Sequence, residues 1–130
     1  MSWTPDDRFE PIPDHLRELL DLVIPDFQRP TAIDVLVGYQ PPLLVLSEPG
    51  EPGSAGFLPS PEDRWLAVRF ADWLQDQFFF ETAGAWGQAR PACPGHRHPM
   101  NAEEIAGSAW WVCPTSGQRI AMIGQAGKAS

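Results

Sequence analysis

The sequence predicts an α+β fold in one small domain, on three observations. Two segments carry apolar residues at helical spacing. Two β-rich runs flank a short turn containing Gly and Pro. The last third of the chain is cut into short pieces by Gly and Pro. A length of 130 residues suffices for one sizeable core, and 15 prolines mark the element boundaries.

Each element follows from local pattern. Asp14 to Ile24, "DHLRELLDLVI", places Leu16, Leu19, Leu20 and Val23 on one helical face, with Pro13 or Asp14 before it and Pro25 ending it. His15 falls in its first turn and is expected to be solvated. Ile33 to Val37 and Leu43 to Leu46 have strand length and composition, so the segment between them forms a hairpin or links two sequential strands. "EPGEPGSAGFLPSP" has no periodicity and is expected to be a structureless loop. Ser60-Pro61-Glu62-Asp63 then has the lettering of a helix start, an N-cap hydroxyl followed by proline and two acids. That helix is expected to run to about Glu81. Leu66, Phe70, Trp73, Leu74, Gln77 and Phe78 would be buried, and Arg64, Arg69, Asp72 and Asp76 would face outward. Beyond it, "GSAWWVC" and "QRIAMIG" form a pair of short strands across the tight turn "PTSG", and the tail "QAGKAS" frays. Residues 1–81 are thus expected to form an acidic α/β body, with residues 82–130 packed on it.

Charge is unevenly placed along this chain. Residues 1–81 hold fifteen Asp and Glu against five Arg, while residues 82–130 hold Glu103 and Glu104 against Arg90, Arg97, Arg119 and Lys128. The net charge of −8 opposes a broad phosphate-binding surface, so nucleic acid is not an expected partner. No 18-residue apolar run spans a membrane, and the acidic N-terminus has no secretory h-region. The expected location is therefore the cytoplasm, whose reducing conditions disfavour a disulfide between Cys93 and Cys113. Arginine outnumbers lysine eight to one, a bias that with abundant Ala, Gly and Pro suggests a bacterial, GC-rich genome.

The chemistry-bearing residues gather in "ACPGHRHP", Ala92 to Pro99, and in "WVCPTSG" around Cys113. A Cys-Pro turn exposes backbone N–H groups around the sulfur and so favours the thiolate that binds metal. His96 and His98 are two apart, so an extended segment projects both rings to one side. Sixteen residues separate His96 from Cys113, a spacing that suits paired ligand segments. The segment Pro91 to Gly124 resembles a zinc ribbon. "CPGH" is similar to one knuckle, and "VCPTSG" leading into "QRIAMIG" is similar to the second. The resemblance departs at Ser116, where such a knuckle normally ends in Cys or His. His98 then supplies the fourth donor, giving a Cys₂His₂ set of Cys93, His96, His98 and Cys113.

Soft thiolates with imidazoles favour Zn²⁺ over the oxygen-seeking Mg²⁺ and Ca²⁺. A closed set would be structural and would pin a loop-rich segment. If His98 turned away, three ligands and a water would form a catalytic pattern with Glu103 or Glu104 as general base. No P-loop, G-x-G-x-x-G or deaminase signature occurs. The expected function is that of a small zinc protein that binds another protein. A metalloenzyme, or a metal-free acidic inhibitor or immunity-type partner, is the alternative. Six tryptophans, including Trp86 and the adjacent Trp110 and Trp111, supply candidate core and contact surface.

Overall fold

The computed structural model describes residues 2–28, 32–60, 62–77, 89–96 and 98–126. Among them lie two α-helices and two small sheets, of four and three strands, which make an α+β fold. The order is β1 (Thr4–Pro5), α1 (Asp14–Val23), β2 (Leu36–Gln40), β3 (Leu43–Ser47), β4 (Ser54–Phe57), α2 (Leu66–Gln77), β5 (Asn101–Ile105), β6 (Ser108–Val112) and β7 (Arg119–Met122).

Helix α1 buries Leu16, Leu19, Leu20 and Val23, the stripe its spacing predicts. Proline at 25 ends the α geometry, but the chain continues through one 3₁₀ turn, Ile24–Phe27, in which Asp26 and Phe27 are buried. Strands β2 and β3 form the expected hairpin, antiparallel with Gln40 opposite Leu43. Its first strand lies later than the composition suggests, because pairing with β3 draws Gly38, Tyr39 and Gln40 into the ladder. Gly38 is required there: a Cβ would collide with the Phe9 ring.

Expectations about the first body are corrected at several points. The segment expected to be a structureless loop contains β4, which pairs antiparallel with β3 and sets Phe57 opposite Leu44. Phe57 is buried against Phe70 and Trp73, with ring centroids 4.9 and 5.2 Å away. Packing on α2, which local composition does not reveal, holds this strand. The strand β1 is likewise set by a distant partner, running parallel to β2 at Leu36 and Val37.

Helix α2 begins at Leu66 rather than at Ser60. The Asp63 N–H donates to the Ser60 carbonyl at 3.0 Å, ahead of the helix. The capping role passes to Asp63, whose carboxylate accepts the Trp65 N–H at 2.9 Å and pairs with Arg69. Phe70, Ala71 and Leu74 are buried and Trp73 is half-buried, whereas Gln77 is exposed, outside the stripe assigned to it. Arg64, Arg69, Asp72 and Asp76 face solvent. Phe78 and the end expected near Glu81 lie outside the described residues, as do Trp86 and the last four residues.

The C-terminal sheet contains the expected pair, β6 and β7, and a third strand, β5, on its far side. β5 and β6 meet in a two-residue turn at Ala106 and Gly107, with φ of +52° and +86°. Both values belong to the mirror-image turns that match strand twist, and the Glu104 carboxylate accepts the Gly107 N–H at 3.1 Å. Trp111 points inward and is fully buried, and Trp110 points the other way, half-buried beneath the Arg119 guanidinium at 5.2 Å.

One cluster of buried side chains runs from Trp3 through both helices and the first sheet to Trp111 and Ile123. Its polar tie is Asp26. This carboxylate accepts the Trp111 indole N–H at 2.7 Å, the Gly124 N–H at 2.6 Å and the Ala126 N–H at 3.2 Å. Phe27 meets the same indole edge-on, with centroids 5.8 Å apart. The 3₁₀ turn after α1 thereby holds the sheet that carries Cys113.

Candidate metal centre

Two backbone turns present the donors. In the first, Cys93-Pro94-Gly95-His96 has the lettering of a type II turn, with proline then a glycine at φ +77°. The His96 N–H closes it on the Cys93 carbonyl at 3.0 Å, and the Cys93 N–H donates to the His98 carbonyl at 3.0 Å. A bridge between Ala92 and Pro99 seals its base. The loop is anchored from below by Gln75 of α2, whose amide donates to Met100 O at 2.6 Å and to Arg90 O at 3.3 Å.

The second turn follows β6. The Gly117 N–H donates to the Cys113 carbonyl at 2.8 Å, and the Cys113 N–H to the Gln118 carbonyl at 2.9 Å. Gly117, at φ +74°, reverses the chain into β7. Both turns are complete in their own backbone hydrogen bonds.

All four residues singled out by spacing come together. One donor atom each from Cys93, His96, His98 and Cys113 lies within 4.8 Å of every other. His96 Nδ1 sits between the sulfurs, 3.4 Å from Cys93 Sγ and 3.8 Å from Cys113 Sγ. Zinc bonds of about 2.3 Å to sulfur and about 2.0 Å to nitrogen give tetrahedral edges of roughly 3.3–3.8 Å. The widest separation, 4.8 Å, must therefore contract by only about 1 Å to enclose such an ion. The donor set fits a metal ion of that size.

Burial grades across the centre. Both cysteines are buried, His98 is half-buried and His96 is exposed. His98 Nδ1 is 3.3 Å from the Pro99 carbonyl, which can only accept, so the proton belongs on Nδ1 and Nε2 keeps the lone pair. The Thr115 hydroxyl stands 3.3 Å from that Nε2.

The two sulfurs differ in their surroundings. Burial pushes the Cys93 thiol up. The Ser116 hydroxyl, the Ser116 N–H and the Thr115 N–H donate to Cys113 and bring its thiol down to about 6. Ser116, the departure from the ribbon pattern, thus serves Cys113 as a hydrogen-bond donor. Sequence reasoning missed this use of Ser116, although the Cys-Pro-Thr-Ser lettering contains it. It also missed Gln75, for which the sequence carries no signal.

The acids proposed as a general base lie elsewhere. Glu103 and Glu104 pair opposite Trp110 and Ala109, about 10 and 13 Å up the strand from Cys113 at the usual strand rise. Glu104 is engaged at the β5–β6 turn. His15 is exposed on α1 and is not a member of the four-residue group. Among the described residues no helix is long and apolar enough to cross a membrane. Comparison with protein-family models, curated proteins and solved structures gives no match.

Proposed function

We propose that the chain is a zinc-binding protein with a structural Cys₂His₂ centre. In this reading the zinc ribbon-like segment is pinned by the ion, and the molecule acts by binding another protein. The observation that carries the metal reading is the convergence of four donor atoms within 4.8 Å, from two turns separated by sixteen residues. Two sulfurs and two imidazole nitrogens suit zinc better than the oxygen-seeking divalent ions. Bound there, zinc would join the loop after Pro91 to the end of β6, supplying a cross-link in a region of short strands.

Two features favour a structural role over a catalytic one. The protein itself supplies four donors, which completes a tetrahedron without a water ligand. The acids that would activate such a water stand on β5 opposite Trp110 and Ala109, three and four residues back from Cys113 along β6. Support for a protein partner is the outer face of the C-terminal sheet, where half-buried Trp110 stands opposite Met122, itself 44 % exposed.

Elemental analysis of the purified full-length chain tests the metal reading. About one equivalent of zinc is expected for a single four-ligand site, falling to under about a tenth in Cys113→Ser. A wild-type chain that retains less than about a tenth of an equivalent after exposure to zinc, without chelators, refutes it. X-ray absorption on the loaded chain should show two sulfur and two nitrogen neighbours. An oxygen neighbour in place of a nitrogen would reopen the catalytic reading.

A further inference from the structure

We propose that the centre responds to oxidants: a peroxide joins Cys93 to Cys113 and expels the metal. The step presupposes the bound zinc proposed above and describes how that site would be emptied. The chain contains two cysteines, and the fold places both sulfurs in the same 4.8 Å group although they are twenty positions apart in sequence. Any intramolecular disulfide is therefore the one between these two. A disulfide needs its sulfurs at about 2.05 Å, so two sulfurs that already lie within 4.8 Å of each other have to close to that distance.

The turns are built to survive that exchange. The first is held by Cys93 N–H to His98 O and His96 N–H to Cys93 O, both at 3.0 Å, and by the Ala92–Pro99 bridge. The second is held by Gly117 N–H to Cys113 O at 2.8 Å and Cys113 N–H to Gln118 O at 2.9 Å. None of these bonds uses a metal-ligating atom. The centre is also open on one side. Pro94, Gly95, His96 and the stretch from Pro114 to Gln118 are exposed, so the two buried sulfurs lie beneath turns that face solvent.

One thiolate sulfur attacks the peroxide O–O bond; an S–O bond forms, the O–O bond breaks and hydroxide leaves. The second sulfur attacks the first, forming S–S and breaking S–O, and a second hydroxide leaves. Two sulfurs have lost two electrons, hydrogen peroxide has gained them, and two solvent protons convert the hydroxides to water. Disulfide sulfurs carry no charge and are poor zinc ligands, which leaves His96 and His98 too few to hold the ion. The covalent bond then ties the same two loops that zinc tied.

Stoichiometric hydrogen peroxide added to the zinc-loaded full-length chain tests this. Zinc is counted before oxidation by elemental analysis and after it by a chromophoric chelator. Free thiols are counted with a thiol reagent, and the intact mass is compared with that of the reduced, metal-free chain. The expected result is one zinc released for every two thiols lost, with a product lighter by two hydrogens. Peptide mapping should join Cys93 to Cys113, and a dithiol reductant with added zinc should restore the loaded form. Products that gain oxygen atoms without the cross-link, or zinc that stays bound while both thiols remain titratable, overturn the proposal. A chain that carries no zinc before the peroxide is added refutes the zinc reading itself, and the first count shows it separately.

Discussion

Replacing Asp26 by alanine is the sharpest test of how the two parts of the molecule are joined. The substitution removes the acceptor for three N–H groups: the Trp111 indole at 2.7 Å, Gly124 at 2.6 Å and Ala126 at 3.2 Å. Trp111 is fully buried, so its N–H has no route to water and loses about 1–3 kcal/mol. Gly124 and Ala126 are half-buried, and rehydration limits each loss to about 0.5 kcal/mol. Against this, the variant no longer buries a carboxyl group that burial already pushes toward its neutral form. The net expectation is a loss of roughly 2–3 kcal/mol at pH 7. In urea this lowers the midpoint by about 1–2 M at an unchanged slope, for a slope near 1.5–2 kcal/mol/M. Trp111→Phe removes one of the donors, so its cost should fall by about 1 kcal/mol in the Asp26→Ala background. An Asp26→Ala unfolding free energy within about 0.5 kcal/mol of wild type would refute the tie. So would a Trp111→Phe cost that is the same in both backgrounds.

Three further outcomes are expected. Burial raises the Asp26 carboxyl above its ordinary 3.8, so folding favours the protonated form; that contribution is full below 3.8 and is lost as pH rises through the folded value. Urea midpoints of wild type and Asp26→Ala should therefore converge between pH 4 and pH 7, and divergence would mean that the three donors outweigh burial. The Cys113 thiol is depressed to about 6 from 9.0, so the apo chain gains stability above 9.0 and loses it as pH falls through about 6. Ser116→Ala should shift that window upward and weaken zinc binding by about 10-fold or more, read by competition with a chelator across pH. Gln75→Leu leaves Met100 O and Arg90 O without this donor beneath the first turn. It should cost about 1–2 kcal/mol in urea unfolding and weaken zinc binding in the same competition, and unchanged values for both would contradict its anchoring role.

What local pattern could reveal, it revealed. The buried stripe of α1 depends on spacing within ten residues, and the β2–β3 hairpin on two β-rich runs beside each other. The four donors were visible because a Cys-Pro turn and two histidines at even spacing are short-range signals. Most of the missed features take their meaning from a distant partner. β4 looks like a Gly- and Pro-rich loop until Phe57 meets Phe70 and Trp73. Glu103 and Glu104 looked available for catalysis until β5 paired with β6 and set them far from Cys113. Ser60 had the lettering of a cap, yet Asp63, three residues on, accepts the Trp65 N–H and starts the helix.

The sequence by itself determined the α+β class, the two helices and which Cys and His residues to examine together. Periodicity, proline punctuation and ligand spacing are properties of neighbouring residues, so no fold is needed to see them. Tertiary structure alone decided that the four side chains converge, that Asp26 ties the C-terminal sheet to the turn after α1, and that Gln75 anchors the first Cys-Pro turn. Those facts belong to pairs of groups up to 100 positions apart, as Asp26 and Ala126 are. Only burial in a common core brings such groups within hydrogen-bond reach.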